Sequence, residues 1–211
     1  MSPDRPTTVV FAIVPVGALD GGKSRLGDVL DAEERHDLVL RLADTTIRSA
    51  VATPGIEETI VITPDDTVRA LALVAGARPI RQRSRGLNAG LREARAEAIA
   101  GGASAVLILP IDLPRVTPAA LTAIIATLRD DPGPLVAIVP DQLRRGTNAL
   151  LLAPPDVIDV HFGGDSRAAH VAAAAAAGAR VVELDGPLRQ DLDTADDLLA
   201  TQVEGGSPIG G

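Results

Sequence analysis

Ala105-Val-Leu-Ile-Leu-Pro-Ile-Asp-Leu-Pro114 decides how the chain is read: five apolar residues stop at Pro110, and a single carboxylate, Asp112, follows two positions later. An unbroken aliphatic run of this length, placed after Gly101-Gly102 and before a helical pattern, predicts a central parallel strand buried on both faces. Ligands of open α/β sheets collect beyond the carboxyl ends of such strands, where Asp112 sits. An ionised group there needs a metal or a cation as partner. The competing reading is a turn or helix-capping aspartate.

Outward from that strand, the order is strand and helix in alternation, the pattern of a layered α/β domain. Thr8 to Val16 predicts a first buried strand, followed by a helix from Asp31 with Leu38, Leu42 and Ile47 on about one face. Strands are expected at Glu58 to Thr63, Arg78 to Gln82, Leu135 to Val139 and Arg180 to Leu184. Helices are expected at Thr67 to Ala75, Leu87 to Ala100, Thr117 to about Leu128 and Arg167 to Ala177. The segment Arg144-Arg-Gly-Thr-Asn148, with the apolar ALLLA behind it, interrupts the alternation.

Composition narrows the function. The chain has 211 residues, 46% hydrophobic and 1% aromatic, with no cysteine, a net charge of -8 and only three histidines, His36, His161 and His170. Length and apolar content fit one domain over residues 8 to 201, between a flexible start (1 to 7) and a Gly-rich tail (202 to 211). Missing aromatics argue against base-stacking on single strands, and the negative charge argues against nucleic acid or an anionic membrane as partner. Without cysteine there are no disulfides, thiolate metal sites or thiol nucleophiles. No apolar stretch reads as a signal peptide or a membrane span, so a cytoplasmic protein is expected.

The loops carry the chemistry. Gly17-Ala-Leu-Asp-Gly-Gly-Lys-Ser-Arg-Leu26 combines glycines with Lys23 and Arg25, which suits phosphate or, equally, an ordinary flexible loop; its spacing is not that of a Walker A motif. Ser84 to Leu91 is a second turn that opens a helix, where Asn88 reads either as a reader of a ligand's edge or as a cap. His161-Phe-Gly-Gly-Asp-Ser-Arg167 resembles an anion-binding turn ahead of a helix N-terminus. Asp191 and Asp193 alternate, so in an extended segment their side chains share one side, as an oxygen-rich Mg²⁺ site requires of a carboxylate pair.

Taken in order, Val14-Pro15-Val16 with KSRL (23 to 26), GLNAGL (86 to 91), LPIDLP (109 to 114), RRGTNALL (144 to 151), FGGDS (162 to 166) and DLDTADDL (191 to 198) resemble the 2-phospho-L-lactate guanylyltransferase family of coenzyme F420 biosynthesis, which includes phosphoenolpyruvate-specific enzymes. The resemblance implies a three-layer nucleotidyltransferase fold of the GT-A-like Rossmann type, with a mixed, mostly parallel sheet and helices on both faces. It implies transfer of GMP from GTP to the phosphate of phosphoenolpyruvate, 2-phospho-L-lactate or 3-phosphoglycerate, with release of pyrophosphate. By position it implies Lys23, Asp112 and Asp193 as catalytic residues, with Asp112 and Asp193 holding Mg²⁺. Val14, Pro15, Val16, Lys23, Arg25, Gly86, Leu87 and Asn88 would meet the nucleotide, and Thr147, Gly163 and Ser166 the acceptor. It further implies hand-over of a labile product to the next pathway enzyme, and leaves a homodimer open. Two other readings stand beside it: a nucleotidyltransferase of the same fold using CTP or UTP, and a non-catalytic nucleotide-binding domain.

Overall fold

The computed structural model describes residues 8–19, 29–129, 133–192 and 197. Seven strands form one sheet: β1 (Val10–Pro15), β2 (Ile56–Thr63), β3 (Arg78–Arg81), β4 (Ala105–Ile108), β5 (Leu135–Pro140), β6 (Thr147–Ala153) and β7 (Arg180–Glu183), in the order β3-β2-β1-β4-β6-β5-β7. The pairings β1/β2, β1/β4, β2/β3 and β5/β7 are parallel. Only β6 runs against its neighbours, antiparallel to both β4 and β5. The Ala105 run is therefore the middle strand, as its composition predicts, but it is parallel to a neighbour on one side alone. The ALLLA stretch is the antiparallel strand beside it, reached from β5 through a short turn rather than a crossover helix.

Period-two alternation sorts each strand onto two cores. Ala12, Val14, Leu107, Ala137 and Leu151 face helices α1 (Ala32–Val51), α2 (Asp66–Val74) and α4 (Pro118–Ala126). Phe11, Ile13, Val106, Ile138 and Leu150 face α3 (Leu87–Ala100) and α5 (Ser166–Ala176). The three-layer α/β expectation is met.

Local chemistry fixes the helix starts. Asp31 and Glu34 form a reciprocal capping box on α1, with bonds of 2.8 and 2.9 Å. Asp65 accepts from Thr67 and Val68 at the start of α2, and Thr117 caps α4 with Pro118 in the first position. Helix α5 begins at Ser166, one residue earlier than its sequence pattern suggests, behind Asp165 in a left-handed conformation (φ 54°). A 3₁₀ turn at Pro187–Arg189 follows β7.

Candidate active site

The carboxyl ends of β1, β2 and β3 leave the sheet on the same side, and the segments after them build a cleft. Pro15, Val16, Gly17, Ala18, Pro64, Gln82, Ser84, Arg85, Gly86 and Leu87 line a depression of about 420 Å³. Four of the residues expected to meet a nucleotide, Pro15, Val16, Gly86 and Leu87, thus converge from two distant stretches. Another of them, Val14, is fully buried with its side chain in the core, where it supports the wall without reaching the cleft. Lys23 and Arg25 lie outside the described residues, as does Asp193.

Gln82, which the motifs did not single out, shapes the cleft's far wall. Its Nε2 donates to the carbonyls of Ser84 (2.9 Å) and Gly86 (3.0 Å). Gly90, buried on α3, makes room for it: a Cβ there would stand 2.7 Å from the Gln82 Cδ. The Glu93 carboxylate, one turn further along α3, takes the amides of Arg83 (3.0 Å) and Ser84 (2.7 Å). A loop with glutamine and glutamate holding its backbone presents the remaining groups of residues 85–87 in a fixed arrangement, which is what recognition of a planar base requires.

Asn88 is not the helix cap, one of the two roles foreseen for it. Gly86 is the helix cap, and the Asn88 carboxamide is engaged at both ends with the backbone of Phe162: Nδ2 donates to its carbonyl and Oδ1 accepts from its amide, each at 2.8 Å. One helical turn on, Arg92 pairs with Asp159, and Arg95 donates to the Ile158 carbonyl. Arg92's hydrogen bond holds the Asp159 carboxyl far below the usual carboxylate range. One side of α3 therefore fastens residues 158–162, and with them the turn that follows.

That turn contains two of the three expected acceptor residues, Gly163 and Ser166. Gly163 adopts φ 137°, a backbone open only to glycine, and the Ser166 amide closes onto the Gly163 carbonyl at 3.3 Å. Ser166 is buried in the first turn of α5. The Arg167 amide reaches the Arg145 carbonyl (3.1 Å), which draws the β5–β6 turn alongside. Buried Thr147, at the start of β6, then lies against His170, with Oγ1 3.1 Å from Nδ1. The three residues named from distant motifs, Thr147, Gly163 and Ser166, are brought together around one helix start. Arg144 and Arg145 are paired with Glu183, Asp185 and Asp165.

Asp112 lies between these two regions, half-buried beyond the end of β4. Its carbonyl accepts from the Leu192 amide at 2.9 Å, so the chain entering Asp193 runs beside it. Asn148 secures that approach: buried in β6, it donates through Nδ2 to the carbonyls of Leu188 (2.9 Å) and Arg189 (3.0 Å). A carboxylate such as that of Asp112 is the ligand type that suits Mg²⁺, a hard cation that takes few protein ligands and completes its shell with phosphate and water. Among the described residues no group of three or more potential ligand side chains is clustered for a metal, and no helix is long and apolar enough to cross a membrane.

Comparison with known proteins agrees with this geometry. A family model described as "Guanylyl transferase CofC like" matches residues 10–207. The phosphoenolpyruvate guanylyltransferase of Rubrobacter xylanophilus is 41% identical over 93% of this chain and 95% of its own length. That of Sphaerobacter thermophilus is 39% identical, covering 95% of each. Among solved structures, the 4-diphosphocytidyl-2C-methyl-D-erythritol synthase of Anaerococcus prevotii superposes with a TM-score of 0.65 at 10% identity, over 95% of this chain and 97% of that one, which is a likeness of fold.

Proposed function

The chain belongs to the CofC-like guanylyl transferase family, and from that premise we propose that it transfers GMP from GTP to phosphoenolpyruvate, releasing pyrophosphate, as a step of coenzyme F420 biosynthesis. The observation that carries the reading is the full-length relationship to enzymes named for this reaction. The geometry supports it: a cleft with a fixed backbone loop suits a base, a buried hydroxyl and a glycine turn suit a small anionic acid, and Asp112 stands between them.

In this mechanism the acceptor's phosphate oxygen attacks the α-phosphorus of GTP in line. The new P–O bond forms as the bond to the β-phosphate breaks, and pyrophosphate leaves with the electron pair. No covalent nucleophile of the protein is needed, so the residues act by holding and orienting. Pro15, Val16 and the Gly86–Leu87 loop orient the guanosine, while Lys23 and Arg25 face the triphosphate. Thr147, Gly163 and Ser166 take up the acceptor's phosphate and carboxylate. Asp112 and Asp193 would hold Mg²⁺, which would supply charge neutralisation for the phosphates. A protein with net charge -8 has to meet its anionic substrates with such local groups.

Pyrophosphate release tests the proposal, with GTP and Mg²⁺ and with phosphoenolpyruvate, 2-phospho-L-lactate and 3-phosphoglycerate in parallel, the next pathway enzyme trapping product. Release is expected with phosphoenolpyruvate, at least 10²-fold lower in Asp112→Asn and absent after chelation with EDTA. Equal rates with CTP or UTP would move the assignment to another base, and full activity of Asp112→Asn would remove that residue from the metal role.

A further inference from the structure

His170 is a buried titratable side chain beside the acceptor turn that the mechanism above leaves unused. It is wholly buried, four residues after Ser166 on the inward side of α5. Its two ring nitrogens have different partners. Nε2 lies 3.0 Å from the backbone nitrogen of His161, and Nδ1 lies 3.1 Å from Thr147 Oγ1. The Phe162 ring stands edge-on to the imidazole at a centroid distance of 5.3 Å.

A backbone N–H can only donate. Nε2 must therefore accept and carry no proton. Burial, followed by the neighbouring charge of His161, pushes the imidazole down to about 4, so the ring is neutral at neutral pH. A neutral ring with a bare Nε2 has its single proton on Nδ1, and Nδ1–H then donates to Thr147 Oγ1. The hydroxyl's own proton is thereby free to point at a third group. With the other tautomer the Thr147 proton would be spent on Nδ1, and the hydroxyl would offer a ligand only its lone pairs. For a phosphate or carboxylate the first arrangement attracts and the second repels.

We propose that His170 is a positioning residue: by accepting from the His161 amide it is locked as the Nδ1–H tautomer, and it thereby presets the Thr147 hydroxyl as a hydrogen-bond donor to the anionic acceptor. The proposal rests on the assignment of Thr147 to the acceptor site. It ties the polarity of one substrate contact to a backbone amide in the neighbouring loop. Exchange of the hydroxyl's direction costs no movement of heavy atoms, so shape alone does not fix it.

Two amide substitutions separate the two nitrogens, because an asparagine carboxamide reaches the place of Nδ1 and a glutamine carboxamide the place of Nε2. In steady-state assays with GTP and phosphoenolpyruvate, His170→Gln, which keeps the loop but loses the donor to Thr147, is expected to raise KM for phosphoenolpyruvate about tenfold. KM for GTP should stay within about twofold. Thr147→Val should give the same loss, the double variant no more than Thr147→Val alone, and His170→Asn should recover most of the acceptor KM. Long-range ¹H–¹⁵N spectra of the parent protein should show a protonated Nδ1 and a bare Nε2. A proton on Nε2, a His170→Gln variant with parental KM, or losses that multiply in the double variant would each overturn the proposal while guanylyl transfer stands. Unchanged KM in Thr147→Val would overturn it together with the acceptor assignment. A parent protein that folds but turns over no acceptor would overturn the functional reading and this inference with it.

Discussion

His170 sits without charge in an alanine-rich helix, and the cost of protonating it there gives the fold a pH dependence of its own. The folded ring titrates at about 4 against 6.5 in an open chain, because burial disfavours the imidazolium. The folded value is the lower one, so as the pH falls the unfolded chain takes up the proton first. This contribution to stability is complete above about pH 6.5 and is lost progressively down to about pH 4. The whole loss is about 3 kcal/mol, or roughly 8 °C in Tm for a chain of this size. Thermal unfolding between pH 7.5 and pH 4 should show that fall in the parent, with a visibly shallower slope in His170→Asn, whose amide does not titrate. Equal slopes would mean that other groups carry the acid sensitivity. Asp159 is set the opposite way: the Arg92 guanidinium keeps its carboxyl ionised far into acid, so the clasp on the acceptor loop persists where His170 begins to protonate.

Helix α3 is the element on which both loops proposed to bind substrate depend. Its Leu91, Ala94 and Ala98 are buried against the sheet. Gly90 and Glu93 hold the loop after β3, and Asn88, Arg92 and Arg95 hold residues 158–162. Gly90→Ala places a methyl 2.7 Å from the Gln82 carboxamide, which cannot yield without releasing the carbonyls of Ser84 and Gly86. The expected result is a KM for GTP raised about tenfold with little change in KM for phosphoenolpyruvate. Asn88→Ala frees the two backbone groups of Phe162 and should act on the acceptor instead, with a similar rise in its KM. The reverse pattern in the same assays would mean that the two loops have been assigned to the wrong substrates. The sequence made α3 itself plain, since its bounds follow from the turn at Gly86 and the Gly101-Gly102 stop. It also marked Asp112, because a carboxylate behind a buried strand is conspicuous. What could not be read were the partners of side chains that bond across long separations: Gln82 and Glu93 bind the chain locally in space but look like surface residues in order, and Asn88 and Phe162 stand 74 positions apart. A buried Asn148 among leucines, and a lone histidine one turn past Ser166, were the signals available. Both are polar groups that an apolar environment tolerates only with partners.

Across the whole molecule, stability and activity occupy different ends of the same strands. The sheet is buried on both faces by aliphatic side chains, and β4 is its middle strand, with Ala105, Val106, Leu107 and Ile108 all inaccessible to solvent. The groups proposed to meet the substrates begin only where the strands end: from Pro15, the last residue of β1, after Ile108 on β4 and at Thr147, where β6 starts. This is possible because β6 runs antiparallel, so its beginning lies at the same end of the sheet as the carboxyl ends of β1 and β4. A cavity cut into the middle of β4 should therefore unsettle the fold and spare the chemistry. Leu107→Ala is expected to cost about 2–5 kcal/mol, a fall of roughly 10 °C in Tm. Assayed well below that Tm, both KM values should remain within about twofold of the parent, because the cavity is packed against α1 and α4 rather than open to the cleft. Asp112→Asn, five residues further on, should do the opposite and lose turnover at nearly unchanged Tm. If Leu107→Ala instead lost substrate affinity with little loss of Tm, the two faces of the sheet would be transmitting strain to the loops, and the site would have to be regarded as part of the core rather than as a graft on its rim.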